Sequence, residues 1–324
     1  MTDGASCGIT VILPTRNRAD QLQGALERLA AQQTEGACTY EVLIVDNGST
    51  DATRQVVDAW QPRFPVSLRY LYEGRTGKPW ALNSGMAAAR GAIFAFTDDD
   101  ILTTPTWLAA LWRCFQEEGA DGVGGKILPQ WTAPRPVWLT DEAFRRFGGL
   151  GCVDHGDLRR SSASGSYCRW VGGSFAVRRQ AAARLGPYDP KLLRGEDTEY
   201  YERAISQGLA VCYEPSALAF HRIAADRMTL AYFRQVRHKT GYYRAYRMPW
   251  MLKDLVTIVP LWWYLDLLDT AAAWLKSGFG REQWMDRFQH ELALREKTSL
   301  WLHRLQLWPR WWLAVLTGQR GQTP

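Results

Sequence analysis

Four short apolar runs, at residues 9–13, 41–45, 66–72 and 92–96, alternate with segments of helical periodicity at the start of the chain. Leu22, Ala25, Leu26, Leu29 and Ala30 recur at helical spacing after the first run, and residues 51–60 and 79–90 read as helices after the second and third. Nearly continuous apolar strands separated by helices form a mostly parallel sheet only if both of its faces are covered. In such a sheet, ligands bind outside the carboxyl ends of the strands. The polar residues fall there: Pro14-Thr15-Arg16-Asn17 after the first strand, Asp46-Asn47-Gly48-Ser49 after the second, and Asp98-Asp99-Asp100 after the fourth.

The aspartate triplet is the sharpest chemical signal. Three adjacent carboxylates repel one another, and they follow a buried apolar run where ionised groups need partners. A divalent cation with phosphate oxygens as co-ligands would keep all of them ionised, in the usual manner of Mg²⁺ or Mn²⁺ at nucleotide sites. The plainer alternative is an acidic turn capping the helix expected to start near Pro105.

Composition narrows the function classes. With 46% hydrophobic and 22% charged residues in 324, the chain has the make-up of a globular protein with a full core. Residues 222–324 carry 16 Lys+Arg against 8 Asp+Glu, a net of +8, while residues 1–221 carry −2. The basic character therefore belongs to the tail, and no nucleic-acid partner is expected. The six cysteines are scattered without metal-type spacing, and no basic-then-apolar leader precedes the first strand, so a reducing, cytosolic setting is expected. Residues 129–170, rich in Pro, Gly, Ser and Arg, read as a long mobile loop over the site. Helices are expected near 178–185 and 196–207, with one or two short strands in 211–221.

Two motifs fail on inspection. Gly74 to Lys78 is similar to a phosphate-binding loop, but Tyr72 stands where its first Gly belongs and Pro79 follows the Lys. His290-Glu291 begins a zinc-protease pattern, but Leu294 replaces the second His.

Five segments together resemble the family 2 glycosyltransferases of the GT-A fold. They are Val11-Ile12-Leu13-Pro14-Thr15-Arg16-Asn17-Arg18, Val45-Asp46-Asn47-Gly48-Ser49-Thr50-Asp51, Gly77-Lys78-Pro79-Trp80-Ala81-Leu82-Asn83-Ser84-Gly85, Thr97-Asp98-Asp99-Asp100 and Gly195-Glu196-Asp197. The resemblance spans roughly residues 8–240. It implies an α/β, Rossmann-like GT-A domain, a nucleotide-diphosphate sugar donor, a Mn²⁺ or Mg²⁺ cofactor, and transfer with inversion at the anomeric carbon. Carried onto this chain, it gives Pro14, Thr15, Arg16 and Asp46 to the base and ribose, with Asp46 accepting the imide N–H of a uracil or thymine. Arg75 and Lys78 would lie near the base or the phosphates, and Asn83 would also bind the nucleotide sugar. Asp98 and Asp100 become the D-x-D pair, with Asp99 between them pointing away, and Asp100 and His221 become the metal ligands. Asp197 resembles the family's general base, which must lie opposite the leaving diphosphate to take the acceptor's proton; Glu196 is its less favoured neighbour.

The tail is read from its composition. Nine of the 16 tryptophans fall in residues 250–324, yet the longest uncharged run, 255–265, has only 11 residues, too short for a membrane span of about 20. Trp and Arg flanking aliphatic residues suit a helix lying on an anionic membrane, with Arg304, Arg310 and Arg320 available to phosphates. A packed helical subdomain or a homo-oligomer contact would use the same faces. A break between helices is expected at Gly278-Phe279-Gly280. The expected organisation is a donor-binding half at 1–128, an acceptor-side half with the catalytic base at 129–245, and a Trp-rich helical extension at 246–324. The expected activity is transfer of a sugar to a glycan or lipid-linked acceptor at the cytoplasmic face of the inner membrane. A nucleotidyltransferase making nucleotide sugars would show a Gly-rich loop after the first strand, where this chain has Pro14-Thr15-Arg16-Asn17. An inactive scaffold would have no need of Asp98, Asp100 and Asp197 together.

Overall fold

The computed structural model describes residues 8–192, 194–248, 259, 261–277 and 283–316. The expected break at 278–280 and Arg320 lie outside these, as do residues 255–258 and 260 of the 255–265 run. The chain divides into two compact units, one of residues 1–132 and 151–223, the other of residues 133–150 and 224–324.

The first unit is built on a nine-stranded sheet ordered β3-β2-β1-β4-β8-β6-β9-β5, with β7 attached to β9. Strands β1 (Ile9–Thr15), β2 (Tyr40–Asp46), β3 (Ser67–Tyr72) and β4 (Ile93–Phe96) form the parallel part. Strand β8 (Phe175–Arg178) joins β4 antiparallel, and β6 (Gly122–Trp131) runs antiparallel to β8 and parallel to β9 (Val211–Ile223). The short strands β5 (Ile101–Thr103) and β7 (Arg160–Ser161) both pair antiparallel to β9. All seven residues of β1 and of β2 are buried, so both faces are covered. Side chains alternate between the two sides. Val11, Leu13, Val42 and Ile44 pack with Leu22, Leu26 and Leu29 of α1 (Ala19–Ala30) and Val57 of α2 (Thr53–Trp60). Ile12, Leu43 and Val45 pack instead with Ala81 and Leu82 of α3 (Lys78–Ala88). Each aliphatic side chain so buried is worth about 1.5–3 kcal/mol, which fixes the register of the strands and hence the position of the loops at their carboxyl ends.

Helix α4 (Trp107–Glu118) follows β5, and α6 (Arg179–Leu185) and α7 (Glu196–Ser206) complete the unit. The segment 129–170, expected as one long loop, carries regular structure. Strand β6 runs on to Trp131, and α5 (Asp141–Phe147) starts at Thr140, whose hydroxyl caps the Ala143 N–H. Val153 bridges Ile127, and Arg159 pairs with Glu117, Glu118 and Glu214.

The second unit is helical. Helix α8 (Leu230–Arg247) packs on α10 (Trp284–Leu316), with Arg234 on Glu291 and both Arg237 and Arg244 on Glu296. Helix α9 (Leu261–Lys276) lies on α10 as well, tied by Lys297 to Asp266 at 2.6 Å. Phe147 makes edge-on ring contacts with Phe233, Trp284 and Phe288. This compact unit takes in residues 133–150 and 224–324, with α8 and α5 both packed on α10.

Candidate active site

The loops after β1, β2 and β4 are bonded to one another by side chains. Thr15, buried at the end of β1, donates its hydroxyl to Asp99 Oδ2 at 2.8 Å. Arg18 bridges Asp99 Oδ1 and Asp100 Oδ2, both at 2.9 Å. Asn17 accepts from Thr50 N–H at 2.7 Å, and its own N–H donates to Ser49 Oγ at 2.9 Å. Asp46 ends β2 buried, accepting from Ser49 N–H at 2.8 Å and from the Tyr70 hydroxyl at 2.7 Å. Asn47 reaches the next loop, donating to Arg75 O at 2.6 Å and accepting from Gly77 N–H at 2.8 Å. Pro14 is buried beside Thr15, and Arg16 stands exposed in the turn that follows.

Arg75 is held by Glu73, whose carboxylate accepts its Nε–H and Nη2–H, and its guanidinium lies over the Trp80 ring at 4.0 Å. The Arg75 bonds first, then the Ser84 hydroxyl, hold the Glu73 carboxyl down at about 2 against burial. Lys78, the first residue of α3, contacts Asp98 at 2.7 Å and Glu196 at 3.6 Å. Burial opposes its charge, but Asp98 and Glu196 prevail and raise its pKa. Glu196 is itself raised, by burial first, with Lys78 opposing and Asp197 adding. Gly195 takes the left-handed backbone, φ 80°, that starts α7. Two residues on, Asp197 accepts from Gly172 N–H at 2.6 Å and from Thr198 N–H at 2.8 Å.

These groups border a pocket of about 230 Å³, counting its open mouth. Lys78, Asp98, Glu196 and Asp197 stand along it, and Leu82, Phe96 and Phe175 supply apolar wall. A mostly apolar cleft with a few convergent polar groups is the usual form of a small-molecule site.

Three expectations change at the atomic scale. Asp99 does not point away: residues 99 and 100 form a turn rather than a continued strand, so strand alternation does not apply, and Asp99 is turned onto Thr15 and Arg18. Burial raises its carboxyl to about 6, with Arg18 opposing and Asp100 and Asp98 adding. Asn83 is engaged at both ends of its amide by the backbone of Tyr188, at 2.9 and 2.8 Å, and so acts as a tether for that residue. The triplet's charge is offset in part by side chains, Arg18 on Asp99 and Asp100 and Lys78 on Asp98, rather than left wholly to a metal. His221 on β9 lies buried, its Nε2 3.5 Å from Asp100 Oδ2. Among the described residues no three His, Cys, Asp or Glu side chains are grouped to hold an ion. Arg18 was in plain view within the first motif, and its +3 offset from Thr15 is the signal that could have found it. Nothing in the sequence marks Tyr70 or Tyr188.

Residues 10–167 match the sequence model of glycosyl transferase family 2. The chain is 26% identical over 213 residues to the glycosyltransferase AglE of Haloferax volcanii, covering 66% of either chain. It is 25% identical over 227 residues to the succinoglycan biosynthesis protein ExoM of Rhizobium meliloti, covering 69% of this chain and 70% of the other. It therefore spans about two thirds of the length of those relatives. A mannosyltransferase from Pyrobaculum calidifontis, solved with GDP-Man and Mn²⁺, superposes with TM-score 0.54 at 18% identity, over 97% of this chain and 76% of that one. GalNAc-T7, solved with UDP, GalNAc and Mn²⁺, gives 0.51 at 17% identity, over 76% and 51%. At these identities the likeness shows the fold, GT-A. Residues 10–167 thus carry a glycosyl transferase family 2 domain.

Proposed function

We propose that this chain transfers a sugar, with inversion, from a uridine- or thymidine-diphosphate sugar to a hydroxyl of a glycan or lipid-linked acceptor. The observation that carries the reading is the stapling of three strand-end loops, through Thr15–Asp99, Arg18–Asp99/Asp100 and Asn17–Ser49/Thr50, beside the pocket that holds Lys78, Asp98 and Asp197. The Asp46 carboxylate meets the imide N–H of the base. Lys78 and Arg75 are the cations nearest the diphosphate. Asp197, oriented by the Gly172 and Thr198 N–H groups, takes the proton of the acceptor hydroxyl. The acceptor oxygen then bonds to the anomeric carbon as the bond from that carbon to the diphosphate oxygen breaks.

The donor set fits Mn²⁺ or Mg²⁺. Such ions take one or two protein ligands and complete their shell with phosphate oxygens and water, so Asp100 with His221 beside it would suffice without an all-protein cage. When bound, the ion would neutralise charge developing on the leaving diphosphate, which then needs no acid. Bound Mn²⁺ in the two superposed structures agrees with this. The succinoglycan named for the Rhizobium relative and the basic, Trp-rich helical unit support an acceptor in polysaccharide or glycolipid assembly at a cytoplasmic membrane face.

The test is a thermal-shift panel of nucleotide diphosphates and nucleotide sugars, with and without Mn²⁺, since a ligand that binds only the folded state raises its melting temperature. A Mn²⁺-dependent shift with UDP or dTDP compounds is expected. In Asp197→Asn that shift should persist while turnover falls by roughly two orders of magnitude or more. No shift with any nucleotide, or full turnover by Asp197→Asn, refutes the reading.

A further inference from the structure

Two residues that line the pocket carry buried hydroxyls that are unpartnered among the described residues. Thr97 Oγ1 and Tyr188 Oη are both buried, both residues line the pocket, and neither atom has a hydrogen-bond partner among the described residues. A buried hydroxyl without a partner bears its whole desolvation cost, so groups of this kind usually wait for a ligand or a water.

Tyr188 cannot turn away to relieve this. Its ring stacks on Tyr200 with centroids 4.2 Å apart and meets the edge of Phe96 at 6.1 Å. Its backbone is clamped by Asn83, which donates to Tyr188 O and accepts from Tyr188 N–H. Burial holds the phenol well above its ordinary pKa, with Tyr200, Glu196 and Asp197 adding, so it remains a donor at any working pH. Thr97 follows β4 directly and precedes Asp98, which fixes its place as firmly. Leu82, Phe96 and Phe175 supply the apolar part of the wall, and Lys78, Asp98, Glu196 and Asp197 the charged part.

We infer that Tyr188 and Thr97 are the residues that read the hydroxyls of the transferred sugar, and so set which donor the enzyme accepts. This rests on the pocket taking the donor's sugar, as proposed above. Each hydroxyl can both donate and accept, so the two suit vicinal sugar hydroxyls of one stereochemistry and leave a partner unmet when that hydroxyl is missing or inverted. Asn83 contributes as a positioning residue, through Tyr188.

The experiment is isothermal titration of the full chain with Mn²⁺ and UDP, UDP-glucose, UDP-galactose or UDP-N-acetylglucosamine, for the parent, Tyr188→Phe and Thr97→Val. For the sugar bound tightest by the parent, Tyr188→Phe should weaken binding roughly tenfold, the worth of about one hydrogen bond, and narrow the spread between the glucose and galactose epimers. Affinity for UDP itself should stay within about twofold, because the base and diphosphate contacts are untouched. Unliganded Tyr188→Phe should melt no lower than the parent, since no protein hydrogen bond is lost. A lower melting point would mean that the hydroxyl has a structural partner, and overturns the inference. Unchanged sugar affinity and epimer spread in both variants also overturns it, leaving the hydroxyls to ordered water. A parent that binds UDP but none of its sugars rejects this inference alone, whereas a parent that binds none of the four compounds rejects the donor reading with it.

Discussion

At the scale of single residues, the strand-end carboxylates are a balance of burial against internal cations. Asp99 shows the balance most clearly: with its charge pressed against Asp98 and Asp100, Arg18 alone does not keep its carboxyl at the ordinary 3.8, and it rises to about 6. The native protein therefore binds this proton more tightly than the unfolded chain does. Its contribution to stability is fully present below 3.8 and is lost as pH rises through 6. A shift of this size corresponds to about 3 kcal/mol at most. Asp99→Asn keeps an acceptor for Thr15 but no longer titrates. Its stability relative to the parent, from urea midpoints at constant salt, should thus climb between pH 4 and pH 7 by roughly 1–3 kcal/mol. A difference that stays flat across that range would show that Arg18 already holds Asp99 ionised. Because a constant offset from the altered Arg18 contact cancels in the slope, the slope alone is diagnostic.

At the scale of elements, what the sequence showed plainly was whatever local pattern controls. The parallel strands β1 to β4 and helices α1 to α3 lie within a residue or two of where apolar runs and periodicity put them. The loops at their ends brought Thr15, Asp46, Lys78 and Asp98 to one face, because a buried strand leaves its loop no freedom of position. Strand β6 was illegible because its sequence, Gly-Val-Gly-Gly-Lys-Ile-Leu-Pro-Gln-Trp, is broken by residues that disfavour strands. Tertiary contact overrides that preference. A Cβ on Gly124 would stand 2.9 Å from Trp170 Cβ, and one on Gly122 would stand 2.6 Å from the Trp170 ring. Trp170 is fully buried and 46 positions from Gly124, and so the glycines read as loop rather than as room for an indole. The same long-range logic hid Asn83, whose amide serves Tyr188 across 105 positions. Gly124→Ala should therefore lower stability by about 1–3 kcal/mol through overpacking, with the dependence on denaturant unchanged. An unaltered midpoint would mean that Trp170 can shift without penalty and that the close approach does not define this strand.

At the scale of the molecule, the proposed membrane role rests on the helical unit. Among the described residues no helix is long and apolar enough to cross a membrane. Helix α9 nevertheless leaves Trp262, Leu265, Leu268 and Leu275 uncovered, at 57, 62, 64 and 68% exposure, while Trp263 on its other side is buried with Ala245, Val259 and Leu300. An exposed stripe of Leu and Trp on a unit of net charge +8 is the pattern of a helix that lies in an anionic interface. Truncation before residue 246 would be a poor probe, because α8 would lose α10, the helix against which it packs. Leu265→Glu with Leu268→Glu is cleaner: both side chains are exposed, so folding should change by no more than about 0.5 kcal/mol, the usual range for surface substitutions. The parent should float with vesicles of phosphatidylglycerol and phosphatidylcholine and be partly released at high salt, since part of the attraction is Coulombic and screened. The double variant should remain in the unbound fraction while melting at the parent temperature. Equal flotation of the two proteins would refute the membrane role for this face. If the parent sediments as a dimer and the variant as a monomer, with neither floating, the stripe is a subunit contact instead.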